Sequence, residues 1–342
     1  MIEYLKNKKD RPKIICLTPI KNEEWILDKF IKCSSLWADN IIISDQDSKD
    51  SSKEIALKYP NVILINNPLI EYDEWLNRKV LFEEARRIEG QKLFITIDAD
   101  ETFTPNFLNP IILDKILSLK PGTVLKSNFI NIMPDFEHYW TGPISIPWGF
   151  MDDGSEYIAD KIHTNRIIYP EKAEKVFIDD VKIMHYQYTD WERMESKHRW
   201  YQCWERINNP NKSSIDIYRG YHHMYSIKKG EIKKIPKEWF EEYEKLGINI
   251  KEIKKDNNYY WDKVVLGYFE KYGTSFFSKE AIWDINWPLI ARKYGFENPD
   301  RFKDPRSRFQ KLVHKWLKKT QLNYKRLDIK LISKILKKFF KL

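Results

Sequence analysis

The stretch Leu93-Phe94-Ile95-Thr96-Ile97-Asp98-Ala99-Asp100-Glu101 decides how this chain folds. Its apolar part is short and continuous, the pattern of a strand buried on both faces of a parallel sheet, and it ends abruptly in carboxylates. Working outward towards the start of the chain, 13–19 (KIICLTP), 41–44 (IIIS) and 62–65 (VILI) repeat the same apolar, β-branched pattern. Between them, 24–36, 51–59 and 74–88 carry helical spacing. Strand alternating with helix predicts an α/β fold with a doubly wound, mostly parallel sheet, which binds its ligands beyond the carboxyl ends of its strands.

Working outward in the other direction, the alternation stops near residue 121. Irregular, aromatic segments with Gly and Pro follow (TGPISIPWGF, 141–150), then short strands at 166–169 and 181–186 and a helix over 190–206. Beyond residue 230, the segments 238–246 and 279–294 read as helical, with loops at 256–258 and 297–305.

The net charge of +9 belongs to one segment. Residues 306–342 hold 13 Lys and Arg against a single acid, Asp328, so that segment is +12 and the remaining body is about −3. A body of that charge offers no broad basic face for phosphates, and nucleic acid is not expected as a partner. Cys16, Cys33 and Cys203 are far apart with no C-x-x-C pairing, which argues against a zinc site or a disulfide framework and fits a reducing cytoplasm. The apolar run 14–20 is interrupted by Thr18 and Pro19 and is too short for a signal sequence. No run reaches the roughly 18 apolar residues of a spanning helix. These features predict a soluble or peripheral protein.

Asp98 and Asp100 are one residue apart, and alternate residues of an extended backbone point the same way, so the two carboxylates are expected to address one ligand. A hard cation, Mg²⁺ or Mn²⁺, takes such oxygen ligands together with substrate phosphates. A second polar strand end is Asp45-Gln46-Asp47-Ser48-Lys49-Asp50-Ser51-Ser52. Asp45 sits where a nucleotide base would be read, whereas Asp50 or Ser51 also suits a helix cap.

With these pieces in order, the first 110 residues resemble family 2 glycosyltransferases and their relatives of lipopolysaccharide-core type. The matching residues are Thr18-Pro19-Ile20-Lys21-Asn22-Glu23-Glu24, the turn 45–52, Asn77-Arg78, and Asp98-Ala99-Asp100-Glu101. The resemblance implies a GT-A fold with a helical C-terminal region. It implies that Pro19 and Asp45 contact the base, that Asp98 meets the ribose or the metal, that Asp100 ligates the metal and that Arg78 lies near the donor. Thr18, Asn22, Glu23, Ala99 and Lys197 complete the expected donor-binding set. One departure is that the family's usual D-D-G-S reads Asp45-Gln46-Asp47-Ser48, without its glycine.

The likeness returns at Met184-His185-Tyr186, followed by Asp190-Trp191 and 197–201, and it implies that His185 completes a metal site with Asp98 and Asp100. An inverting transfer also needs a carboxylate that takes the acceptor hydroxyl's proton. Asp179 and Asp180 are the first candidates, with Asp152 and Asp153 in reserve. Tyr139, Trp140, Trp148 and Phe150 either stack on acceptor sugars or belong to the core.

The expected organisation is a GT-A catalytic domain over 1–230, with its nucleotide-sugar half at about 1–110 and its acceptor half at 111–230. A helical extension over 231–305 and a basic amphipathic tail over 306–342 follow. The expected function is a metal-dependent, inverting transfer of a sugar from a nucleotide-diphosphate sugar, UDP favoured, to a hydroxyl of a glycan or lipid-linked glycan in surface polysaccharide synthesis. The alternatives are a catalytically inactive GT-A-like protein that binds membrane or polyanion, and a sugar-nucleotidyltransferase.

In the tail, Phe309, Leu312, Val313, Trp316 and Leu317 form one apolar stripe, and Ile329, Leu331, Ile332, Ile335, Leu336, Phe339, Phe340 and Leu342 form a second, each bordered by lysines. An interfacial helix on an anionic membrane, at the cytoplasmic face of the inner membrane, is one reading. A helix packed on the catalytic domain or on a second subunit of a homo-oligomer is the other.

Overall fold

A computed structural model describes residues 4–5, 8, 10–68, 74–155, 166–167, 169–170, 172–255 and 259–340, with the side chains of 74–75 and 339–340 outside that set. The chain divides into two compact units, Met1–Thr189 with Lys233–Lys255, and Asp190–Ile232 with Asp256–Leu342.

The first unit is built on a nine-stranded sheet. The four apolar runs form β1 (Lys13–Ile20), β2 (Asn40–Asp45), β3 (Val62–Asn66) and β4 (Lys92–Thr96), paired in parallel in the order β3-β2-β1-β4. Ile14, Ile15, Cys16, Leu17, Ile41, Ile42, Ile43, Leu93, Phe94 and Ile95 are all fully buried, which is why these runs lack a polar alternation. Helices at Leu27–Ser34, Ser52–Ala56 and Glu74–Arg86 connect them. This is the doubly wound α/β half expected of a GT-A chain. Its strand order reverses between β1 and β4, so the carboxyl ends of β1, β2 and β4 border one crevice.

The sheet continues beyond β4 as β7 (His138–Met151), β6 (Val124–Ile132), β8 (Lys175–His185) and β5 (Glu101–Phe103), with β9 (Ile232–Lys234) paired to β7. β7 runs antiparallel to β4 and β6, and β5 runs antiparallel to β8. The segment read from the sequence as irregular is therefore a long strand. Its register shifts against β6 near Leu125/Lys126 and Asn128/Ile130, bulges that accommodate Pro143 and Pro147. Tyr139, Trp140, Trp148 and Phe150 are all buried, so the acceptor-stacking reading gives way to a core one. Trp148 satisfies its indole N–H on Ser127 Oγ at 2.8 Å. Arg166 and Ile167 form a bend rather than a strand.

The chain passes between the units at 189/190, 232/233 and 255/256, so the segment 231–305 is shared between them. The helix Glu238–Lys245 returns to the first unit, where Tyr243 donates to the Phe103 carbonyl at 2.8 Å and packs with Phe240, Ile130 and Met184. The helix Trp191–Asn208 belongs to the second unit, where Arg199 forks onto Asp262 with two 3.0 Å bonds and Cys203 enters a cluster with Leu266, Phe269 and Trp287. Lys197, expected near the donor, lies in this unit with its ammonium 5.9 Å from the Trp261 ring centre. The three cysteines are free and buried. No helix among the described residues is long and apolar enough to cross a membrane.

Candidate active site

Two turns meet at the carboxyl ends of β1 and β2. Asn22 N–H donates to Ser48 Oγ and Glu23 N–H to Ser52 Oγ, both at 2.9 Å, while Glu24 N–H reaches Asp50 at 3.0 Å. In return Lys49 N–H donates to Asn22 Oδ1 at 2.7 Å and Ser51 N–H to Glu24 at 2.9 Å. Asn22, Glu23 and Asp50 are thus tied into the scaffold that shapes the crevice. Glu23 also accepts the Trp25 indole N–H at 2.6 Å.

Asp45 ends β2 fully buried, accepts Ser48 N–H on both oxygens and lies 3.2 Å from the Lys53 ammonium. The carboxylate expected to read a base closes its own turn. That turn lacks the family's glycine, yet Asp47 adopts φ +62°, the left-handed conformation a glycine there would supply. Aspartate tolerates this region better than most residues, which lets Asp47 stand there. Thr18 is buried within β1, and Pro19 pairs with Ser44 across to β2.

Beyond β4 the backbone turns: Glu101 N–H donates to the Asp98 carbonyl at 3.0 Å. Alternation stops there. Asp98 is held by two guanidinium groups, with Arg78 Nη2 at 3.7 Å and Arg166 Nη2 at 3.2 Å. Ala99 is buried beneath the turn. Asp100 lies 3.5 Å from His185 Nε2. Glu101, opposite His185 in the β5–β8 register, completes a group of three candidate ligands whose donor atoms all fall within 4.8 Å of one another. The grouping is Asp100, Glu101 and His185, with Glu101 in the place expected for Asp98.

Three features of this group suit a divalent cation. His185 Nδ1 lies 2.9 Å from Asn131 Oδ1, an acceptor that suits a proton on Nδ1, and Nε2, 3.5 Å from Asp100, would then be the nitrogen that meets an ion. Glu101 directs one oxygen to Asp98 N–H at 3.0 Å and to Arg166, while its other oxygen is buried with no hydrogen-bond partner among the described residues. A buried carboxylate oxygen in that state is costly unless something positive meets it. Burial also pushes the Glu101 carboxyl above its ordinary range, with the Arg166 charge pulling it back.

The acids expected to act as base are elsewhere. Asp179 and Asp180 are exposed in the irregular part of β8 between Phe177 and Lys182, away from the ladder position of His185 beside Glu101. Asp152 follows β7 at the opposite end of β4, where its N–H bonds the Lys92 carbonyl at 2.9 Å and Arg86 holds its side chain at 2.8 Å. Asp179→Asn and Asp180→Asn are therefore expected to keep nucleotide release within about threefold of wild type at saturating donor, against the roughly 10²- to 10⁴-fold that losing a general base costs. A loss of that larger size in either variant would return these residues to the site.

Arg166 and Glu101 are functional candidates that sequence reading missed. Glu101 continues the carboxylate run and was within reach of inspection, whereas no motif marks Arg166.

No protein-family profile matches the chain, and no curated protein matches it. Among solved structures it is similar to a mycobacterial protein (18% identity, TM-score 0.28), covering 38% of this chain and 44% of that one. It is also similar to glucosyl-3-phosphoglycerate synthase from Mycobacterium tuberculosis in complex with Mn²⁺, uridine-diphosphate-glucose and phosphoglyceric acid (21% identity, TM-score 0.28), covering 37% and 47%. A 4-diphosphocytidyl-2C-methyl-D-erythritol synthase matches at 11% identity and TM-score 0.23 over 26% and 47%. The chain spans less than half the length of each of these proteins. At that overlap, function has to be argued from the site's own residues.

Proposed function

We propose that this chain is a metal-dependent glycosyltransferase of GT-A type that takes its sugar from a nucleotide-diphosphate sugar, UDP favoured, and passes it with inversion to a hydroxyl of a glycan or lipid-linked glycan. The observation that carries the reading is the Asp100, Glu101 and His185 group at the carboxyl-end crevice, with Arg78 and Arg166 gathered beside it on Asp98.

Asp100, Glu101 and His185 would hold the cation. Carboxylates suit Mg²⁺ and Mn²⁺ alike, but an imidazole nitrogen in the set favours Mn²⁺. When bound, the ion supplies Lewis-acid stabilisation of the charge that grows on the departing diphosphate. Asn131 Oδ1 would accept the Nδ1 proton, so that with an ion bound His185 offers it Nε2. Arg78 and Arg166 have the planar donor forks that match phosphate oxygens, and exchanging Asp98 for a diphosphate keeps both charges paired. Thr18 and Pro19 at the end of β1, with Asn22 and Glu23 in the turn that follows, would line the end of the crevice that takes the base.

The test is release of nucleoside diphosphate from UDP-, GDP-, CDP- and dTDP-sugars with Mn²⁺, with Mg²⁺, and with chelator. One donor is expected to turn over, faster with Mn²⁺ than with Mg²⁺ and not at all with chelator. Metal-independent release, or pyrophosphate release from a nucleoside triphosphate and a sugar phosphate in its place, overturns the proposal.

A further inference from the structure

The basic segment forms two helices in the second unit, Arg308–Thr320 and Leu327–Phe340, and they are used differently. The first is a structural part of its unit. Val313 and Leu317 are buried in a cluster with Ile215 and Tyr218, and Trp316 packs against it. Arg219 seals the end of this helix, donating to the Leu317 carbonyl at 2.9 Å, Gln321 at 2.8 Å and Thr320 at 2.6 Å. The apolar stripe read from the sequence as membrane-facing is, in this helix, largely core. Phe309 and Leu312 alone remain exposed from it.

The second helix divides its faces. Ile329 is buried, Leu336 packs on the same cluster, and Lys337 reaches Asp216, so one side is fastened to the unit. At about 100° per residue, Leu327, Leu331, Ile332 and Ile335 fall on a different arc of about 140°. They stand 84%, 61%, 42% and 45% exposed. Lys330, Lys334 and Lys338, all exposed, run along one edge of that arc. The acid on the arc, Asp328, is neutralised by Arg326 at 2.9 Å. The side chains of Phe339 and Phe340 lie outside the described residues, as does Leu342.

We propose that the outward arc of Leu327–Phe340 is a docking surface for an anionic lipid bilayer. An apolar stripe edged by lysines matches acyl chains beneath negatively charged headgroups. The fastened side explains how such a helix is presented without unfolding the unit. Self-pairing through this helix would bring the lysine edge no carboxylate other than Asp328, which Arg326 already holds.

The full chain, co-sedimented with vesicles, tests this. It is expected to pellet with phosphatidylglycerol–phosphatidylcholine vesicles, to remain in solution with phosphatidylcholine alone, and to be released by high salt. Each lysine near an anionic leaflet is worth roughly fivefold in partition, so Lys330→Glu/Lys334→Glu/Lys338→Glu should weaken binding by roughly a hundredfold or more. Leu331→Asp/Ile335→Asp should abolish binding with unchanged circular dichroism and melting temperature, since both side chains are exposed. The proposal is overturned if wild type ignores anionic vesicles, binds neutral ones equally, or is unaffected by both variants. It is also overturned if wild type is a dimer that the Leu331→Asp/Ile335→Asp change dissolves, because the occupant is then a second copy.

Discussion

Asp100→Asn is expected to lower Mn²⁺-dependent nucleotide release about a thousandfold while the melting temperature stays near that of wild type. The substitution keeps the side chain's shape and the backbone bond from Tyr186 N–H to the Asp100 carbonyl at 2.8 Å, and it removes one negative ligand from the group of three. Lewis-acid stabilisation of a departing diphosphate is worth several kcal/mol, and about 4 kcal/mol at 1.36 kcal/mol per decade is a factor of about a thousand. Manganese titration monitored by tryptophan fluorescence should show weakened binding alongside the lost rate, a signature that damage confined to the acceptor side would not produce. Wild-type release from a folded Asp100→Asn protein would remove the metal assignment, and with it the main support for a transferase.

The parts of this fold that the sequence made legible are those where one force dominates. β1, β2 and β4 are buried on both faces, so their apolar runs are unbroken and, with the half-buried edge strand β3, their alternation with helices is plain. Asp190, expected at the start of a helix, caps Trp191–Asn208 by accepting Arg193 N–H. β7 was hidden because its bulges let Gly142, Pro143 and Pro147 lie within a strand, and local propensity gives no warning of that. The site was legible as a place rather than as a ligand set. Alternation predicts that Asp98 and Asp100 share a face, but it does not reveal that the turn closed by Glu101 N–H brings Glu101 beside Asp100 and His185. Asp179 and Asp180 looked near His185 because sequence distance is short, yet they fall in the bulge of β8 between Phe177 and Lys182, exposed, while His185 pairs with Glu101. The basic segment showed two equal stripes, and only tertiary packing reveals that Val313 and Leu317 are spent on the core while Leu331 and Ile335 are not.

Arg166→Met is expected to cost the first unit about 3–5 kcal/mol at neutral pH, the usual consequence of leaving one member of a buried ion pair without its partner. Arg166 donates to Glu101, whose side chain is fully buried, and also meets Asp98 at 3.2 Å, with its guanidinium 5.4 Å from the Phe129 ring centre. Methionine retains the packing on Phe129 and removes only the charge and its hydrogen bonds. Burial already holds the Glu101 carboxyl above its ordinary range, and the Arg166 charge is the largest influence opposing that rise. Without it the carboxyl rises further, so the variant's folded state binds a proton that the unfolded chain releases. Stability of Arg166→Met should therefore fall as pH climbs from the ordinary carboxylate range through the raised value, and the deficit against wild type should be small near pH 5 and large near pH 8, roughly. Thermal melts across that range check the sign, with roughly a 10 °C deficit expected at the alkaline end. Adding Glu101→Gln should recover most of the loss, because the charge that cannot be left alone is then gone. A deficit independent of pH, or no recovery in the double variant, would mean that Arg166 acts through packing and that the unpartnered Glu101 oxygen is not held in place by this pair.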